Sequence, residues 1–133
     1  MMPGEARNEG AKLARGDNLI FIDSDLYLTD EAITFINQGK FDITNQIIFG
    51  YYLNDHGVSL ISKFQNSILK YRFVDVYKKE SIRYGQSSHM IVSRENFNLI
   101  GGFNKFLRMR EDTEFCFRAK NININNIVCD DFG

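Results

Sequence analysis

No apolar run in this sequence approaches the roughly 20 residues of a membrane-spanning helix, and Met1 to Arg15 holds no apolar signal-peptide core. The chain is therefore expected in the cytoplasm. Cysteine is scarce: Cys116 and Cys129 have neither the number nor the close spacing of a zinc site, and a reduced pair is the expected state. Proline occurs once, at Pro3, and no low-complexity tract, internal repeat or linker interrupts the chain. One compact domain over residues 1–133 is the expected organisation. Charge of one sign is also missing, since 16 basic and 17 acidic side chains leave a formal net charge of −1. Without a general positive field, nucleic acid is not an expected partner.

What is present is the balance of a globular domain: 44% hydrophobic and 25% charged residues, over a length sufficient for one core. Strand and helix patterns alternate. Glu5 to Arg15 is helix-compatible, with Gly16-Asp17 as its stop. Asn18 to Ile22 reads as a buried strand because both faces are apolar. Thr29 or Asp30 can cap a helix over Glu31 to Asn37. Gln46 to Leu53 reads as a second strand, followed by turn chemistry at Asn54-Asp55-His56-Gly57. Val58 to Lys79 has helical spacing of apolar residues. Ser88 to Ser93 reads as a strand, and Arg94 to Ile100 as a short helix ended by Gly101-Gly102. Glu111 to Lys120 reads as a further helix and Ile122 to Cys129 as a final strand. This alternation predicts an α/β fold with a mixed sheet flanked by helices. In such sheets ligands gather beyond the carboxyl ends of strands.

Asp23 and Asp25 fall at such an end. Two carboxylates two residues apart can share one space if the backbone turns after the strand. Their hard oxygen atoms suit magnesium or manganese, which keep places for water and substrate phosphates. The same triplet also suits a solvated acidic turn. Glu111 and Asp112 open a helix, where acidic side chains complement the positive end of the helix dipole. They can cap that helix, or one can serve as a general base for an attacking hydroxyl. Gly101-Gly102-Phe103 permits positive φ or close backbone approach, or simply ends a helix. Arg7 and Asn8 lie on the first helix, and Arg7 would bind a phosphate if one were near.

In order along the chain, Ala6-Arg7-Asn8-Glu9-Gly10, Ala14-Arg15-Gly16-Asp17, Phe21-Ile22-Asp23-Ser24-Asp25, Arg94-Glu95-Asn96-Phe97, Ile100-Gly101-Gly102-Phe103 and Glu111-Asp112-Thr113-Glu114-Phe115-Cys116-Phe117-Arg118 resemble the family-two glycosyltransferases of the GT-A fold. The separation of the two acidic motifs is also GT-A-like. The resemblance implies a GT-A-like, Rossmann-like mixed sheet and transfer of a sugar from a nucleotide-diphosphate sugar to a hydroxyl acceptor, by an inverting displacement. It makes Asp25 the main metal ligand for Mn2+ or Mg2+, with Asp23 assisting the metal or contacting the donor ribose. Arg7 and Asn8 fall near the donor nucleotide or diphosphate. Gly101, Gly102 and Phe103 shape the acceptor side. Asp112 becomes the general base and Glu111 positions the acceptor, a saccharide or a lipid-linked saccharide. Bacterial surface polysaccharide synthesis, peripheral membrane association and a homodimer are further expectations of this kind.

Against the resemblance, the strand-helix-strand front that cradles the nucleotide base, roughly 60 to 90 residues at ordinary element lengths, does not precede the Arg7-Asn8 helix. The fold is thus expected to be incomplete. An alternative expectation follows: a catalytically inactive domain that acts only as a binding or self-associating module. A nucleotidyltransferase, which also pairs aspartates with metal, is disfavoured because no glycine-rich phosphate loop with a following Lys is present.

Overall fold

A computed structural model describes residues 1–50, 63–64, 67–68, 82–129 and 132. Helix α1 spans Pro3–Leu13, strand β1 Asn18–Ile22, α2 Asp30–Gln38, β2 Gln46–Phe49 and β3 His89–Ser93. They are followed by α3, Arg94–Ile100, α4, Glu111–Asn121, and β4, Asn125–Val128. The expected turn at Asn54 to Gly57 lies outside the described residues, as does most of the helix expected over Val58 to Lys79. Of that helix, residues 63, 64, 67 and 68 are described, and they are helical.

Local chemistry accounts for most boundaries. Pro3 stands at the first position of α1, where its missing N–H costs nothing. Thr29 caps α2 by accepting from the Ala32 N–H at 3.1 Å, and Gly39 closes it at φ 59°. Ser93 caps α3 by accepting from the Asn96 N–H at 3.0 Å, and Gly101 closes it at φ 89°. Helix α1 stops at Leu13, short of Arg15, for a reason from elsewhere in the chain. The Arg94 guanidinium donates to the carbonyl oxygens of Ala11, Ala14 and Gly16 at 2.6–2.9 Å, and so satisfies the open end of the helix.

The four described strands form one sheet in the order β1-β3-β2-β4. β3 runs antiparallel to both β1 and β2, while β2 and β4 are parallel. The sheet is mixed, as the alternating pattern predicts. Because side chains alternate across a strand, the central strands feed two cores. Ile47, Phe49, Met90 and Val92 pack with Phe97, Ile100, Phe103, Phe115, Cys116 and Ala119 from the α3 and α4 side. Ile48 and Ile91 point the other way, onto Ala32 of α2, Ile43 and Phe132.

The strand β1 corrects one expectation. It has the expected bounds but is not buried on both faces: Ile20 and Ile22 are 36% and 39% exposed. Among the described residues β1 pairs only with β3 and is an edge strand. Leu19 alone of its residues is fully buried. The pairing nevertheless aims β1 well: Ile22 lies opposite His89, and the Asp23 N–H donates to the Ser88 carbonyl at 3.1 Å.

Among the described residues, Cys116 and Cys129 form no disulfide, and burial pushes the Cys116 thiol up to about 12. Among the described residues no helix is long and apolar enough to cross a membrane.

Candidate active site

Beyond the carboxyl end of β1 lies a cavity of about 360 Å³. Four parts of the chain line it: Arg7 from α1, Asp23, Asp25 and Leu26 after β1, Gln86, Ser87 and Ser88 before β3, and Glu111 and Asp112 at the start of α4. The antiparallel pairing explains the meeting. It places the entry to β3 at the exit of β1, so two segments distant in sequence open on one space.

Arg7 ties the two acidic motifs together. Its Nη2 donates to Asp23 Oδ1 at 2.8 Å and its Nη1 to Glu111 Oε1 at 2.7 Å. The guanidinium also lies over the Phe103 ring, 5.7 Å from its centroid. The Arg7 and Glu111 side chains are only 17% and 10% exposed, so this pair works in a less screened environment than a surface ion pair. Glu111 gains further from its place in the first turn of α4.

The second member of each motif is not tied. Among the described residues, Asp25 makes no hydrogen bond or ion pair and is exposed on the cavity wall. Among the described residues, Asp112 Oδ1 accepts only from its neighbour, from Thr113 N at 2.7 Å and Thr113 Oγ1 at 3.4 Å. Among the described residues, the cavity thus carries four carboxylates against one guanidinium. An excess of negative charge with a free carboxylate suits a hard divalent cation, which commonly takes one or two protein carboxylates and completes its shell with water and phosphate oxygens. Among the described residues, no group of three or more His, Cys, Asp and Glu gathers to hold a metal by itself. The residues present fit a cation shared with a phosphorylated ligand.

The other expected site residues do not open on this cavity. Asn8 turns to Phe103 and makes a reciprocal pair: Nδ2 donates to the Phe103 carbonyl and Oδ1 accepts from the Phe103 N–H, both at 2.8 Å. Phe103 is buried against Phe21, Phe97 and Phe115. Gly102 sits at φ 68°, and a Cβ there would meet Asn8 Oδ1 at 2.9 Å. Arg118 fastens the same turn. It donates to the carbonyls of Ile100 and Gly102 while paired with Glu114. A second cavity, of about 390 Å³, lies between α1 and α3. Its polar walls include Asn8 and Arg94, which are already engaged in these structural bonds.

Gln86, Ser87 and Ser88 were not expected at the site. Three polar residues before a buried strand are their only signal in sequence, and that signal says nothing of location until the β1–β3 pairing is known.

The family model described as Glycosyl transferase family 2 matches residues 2–101. Among solved structures, the chain is similar to S. aureus TarS residues 1–349, with a TM-score of 0.61 and 23% identity over 98% of this chain. It is similar to a longer S. aureus TarS structure, with a TM-score of 0.62 and 21% identity over 98% of this chain. It spans 38% of the first and 23% of the second. No curated protein matches the sequence. The structural likeness carries the fold, a GT-A-like α/β architecture of which this chain holds a part, and the match over residues 2–101 makes the chain a member of glycosyl transferase family 2.

Proposed function

We propose that the acid-lined cavity takes a nucleotide-diphosphate sugar together with a divalent cation and transfers the sugar to a hydroxyl acceptor with inversion. The observation that supports this most is the convergence of Asp23, Asp25, Glu111 and Asp112 on one cavity, with one carboxylate of each motif left untied.

In this reading Asp25, with Asp23, would hold Mn2+ or Mg2+. The cation, when bound, offsets charge on the departing diphosphate. Asp112 is the catalytic base. It takes the proton of the acceptor hydroxyl as that oxygen bonds to the anomeric carbon; the bond from that carbon to the diphosphate oxygen breaks, and the leaving group keeps the electron pair. Arg7 holds Asp23 and Glu111 at fixed separation on the donor side, and Asn8 supports that wall through Phe103. Glu111 positions the acceptor. Gly101, Gly102 and Phe103 serve the acceptor side by fixing where the following loop leaves the core. The acceptor class is a saccharide or lipid-linked saccharide, and the setting is bacterial surface polysaccharide synthesis in the cytoplasm.

The test is donor hydrolysis or sugar transfer by the intact gene product carrying Asp25→Ala or Asp112→Asn. Each substitution is expected to lower kcat at least about 100-fold without unfolding the protein. Unchanged turnover in both variants overturns the proposal.

A second reading, a self-associating module without catalysis, is favoured by the edge position of β1 among the described residues, with Ile20 and Ile22 exposed. Calorimetric titration with a nucleotide sugar and manganese separates the two. Metal-dependent binding supports the first, and no binding together with a concentration-dependent dimer supports the second.

A further inference from the structure

The segment that joins Phe103 to α4 reads Asn104-Lys105-Phe106-Leu107-Arg108-Met109-Arg110. It carries three cations and no anion, in a chain whose net charge is −1. Its large apolar side chains are not buried. Phe106 is 81% and Met109 77% exposed, and Lys105, Arg108 and Arg110 are exposed beside them. Folding leaves this apolar surface in water although two buried cores lie within the same domain. Isolated exposed apolar residues are ordinary, but two at nearly full exposure, interleaved with basic residues on one short loop, make a surface of a particular chemistry. Aromatic and thioether side chains partition into the boundary of a bilayer, while Lys and Arg meet anionic headgroups.

We propose that this loop docks the protein on an anionic lipid surface, with Phe106 and Met109 entering the headgroup boundary and Lys105 and Arg108 pairing with lipid phosphates. Charge complementarity selects the occupant. A protein groove would satisfy the apolar pair alone, and a soluble polyanion would satisfy the cations alone; an anionic bilayer satisfies both. The loop runs directly into Glu111 and Asp112. Docking there would bring the acid-lined cavity to the membrane surface, where an acceptor on a lipid carrier would be presented. The surface itself stands on the loop, whatever reaction the cavity performs.

The experiment is co-sedimentation of the intact protein with vesicles, without any turnover readout. Vesicles of phosphatidylcholine with phosphatidylglycerol are compared with phosphatidylcholine alone. Binding is expected only to the anionic vesicles, and to fall as salt rises. Each basic side chain at such a surface is worth about fivefold in partitioning, so Lys105→Gln with Arg108→Gln is expected to weaken binding about 25-fold. Phe106→Ser with Met109→Ser keeps all the charge and is expected to weaken binding about tenfold or more. Circular dichroism should show unchanged folding in both, since the altered side chains are exposed. Equal binding to neutral vesicles, or no binding to either kind, overturns the proposal. So does wild-type binding by the serine pair. Polyphosphate bound as tightly as vesicles, and equally by the serine pair, reassigns the loop to soluble polyanions and overturns it too.

Discussion

The end of β1 and the start of α4 solve the same problem in the same way. Each presents two carboxylates to one cavity, and in each the first is held by Arg7 while the second is not. They differ in burial. The Glu111 side chain is 10% exposed, and Asp23 43%. Glu111 therefore depends on Arg7 for compensation of its charge, whereas Asp23 retains water. The difference sets the two ends apart: the α4 end is anchored by a buried ion pair, and the β1 end stays more open to water.

The sharpest way to break this comparison is Arg7→Met. It preserves volume over Phe103 but leaves Glu111 buried without a counter-charge. Loss of about 3 kcal/mol is expected, because removing one partner of a buried pair strands the other. Urea unfolding measures it. Glu111→Gln in the same background should restore part of the loss, because the stranded charge is gone. A loss below about 1 kcal/mol would place the tie among ordinary surface pairs and end the distinction between the two ends. Asp23→Asn, by contrast, should cost little stability in the same assay.

Asn8→Ala probes the neighbouring residue on α1, which serves the wall rather than the cavity. It leaves both the N–H and the carbonyl of Phe103 without their present partners. About 2 kcal/mol of stability is expected to go. If the site is supported through Phe103, Arg7 also loses its fixed backing. Metal-dependent nucleotide binding should then weaken less than stability does. A variant as stable as wild type would show that water replaces the Asn8 amide.

What could be read from sequence follows from how local its causes are. The Thr29 cap and the stop at Gly101 depend on residues within a turn, and each helix starts or ends where that chemistry predicts, while the Ser93 cap was read only as the end of a strand. The four acidic candidates were legible by type and order. Burial of β1 was not, because it depends on which strands stand beside it: an apolar run reads alike at an edge and in the centre. The Arg7 tie spans 104 residues to Glu111, and the Arg94 clamp on α1 spans 78 to 83; no local pattern announces either. Ser87 and Ser88 enter the site only through the antiparallel register.

The smallest expected effect concerns what backs the β1 end. His89, opposite Ile22, is 5% exposed, and among the described residues neither ring nitrogen has a hydrogen-bond partner. Its ring centroid lies 4.1 Å from that of Phe132. Burial holds its pKa below the ordinary value of 6.5. The unfolded chain therefore takes up the proton first as pH falls. Above 6.5 both states carry neutral imidazole and the group does not alter stability with pH. Below 6.5 stability drops until the folded state also protonates. Melting temperatures at pH 7.5 and 5.5 should fall further apart for wild type than for His89→Leu, which has no proton to take up. The start of α4 lacks such a backing group among the described residues. Adding Arg7→Met should therefore leave the difference between His89 and Leu unchanged. If wild type and His89→Leu lose the same stability over this range, the imidazole is satisfied in solution, and the β1 end is no more sensitive to acid than its counterpart.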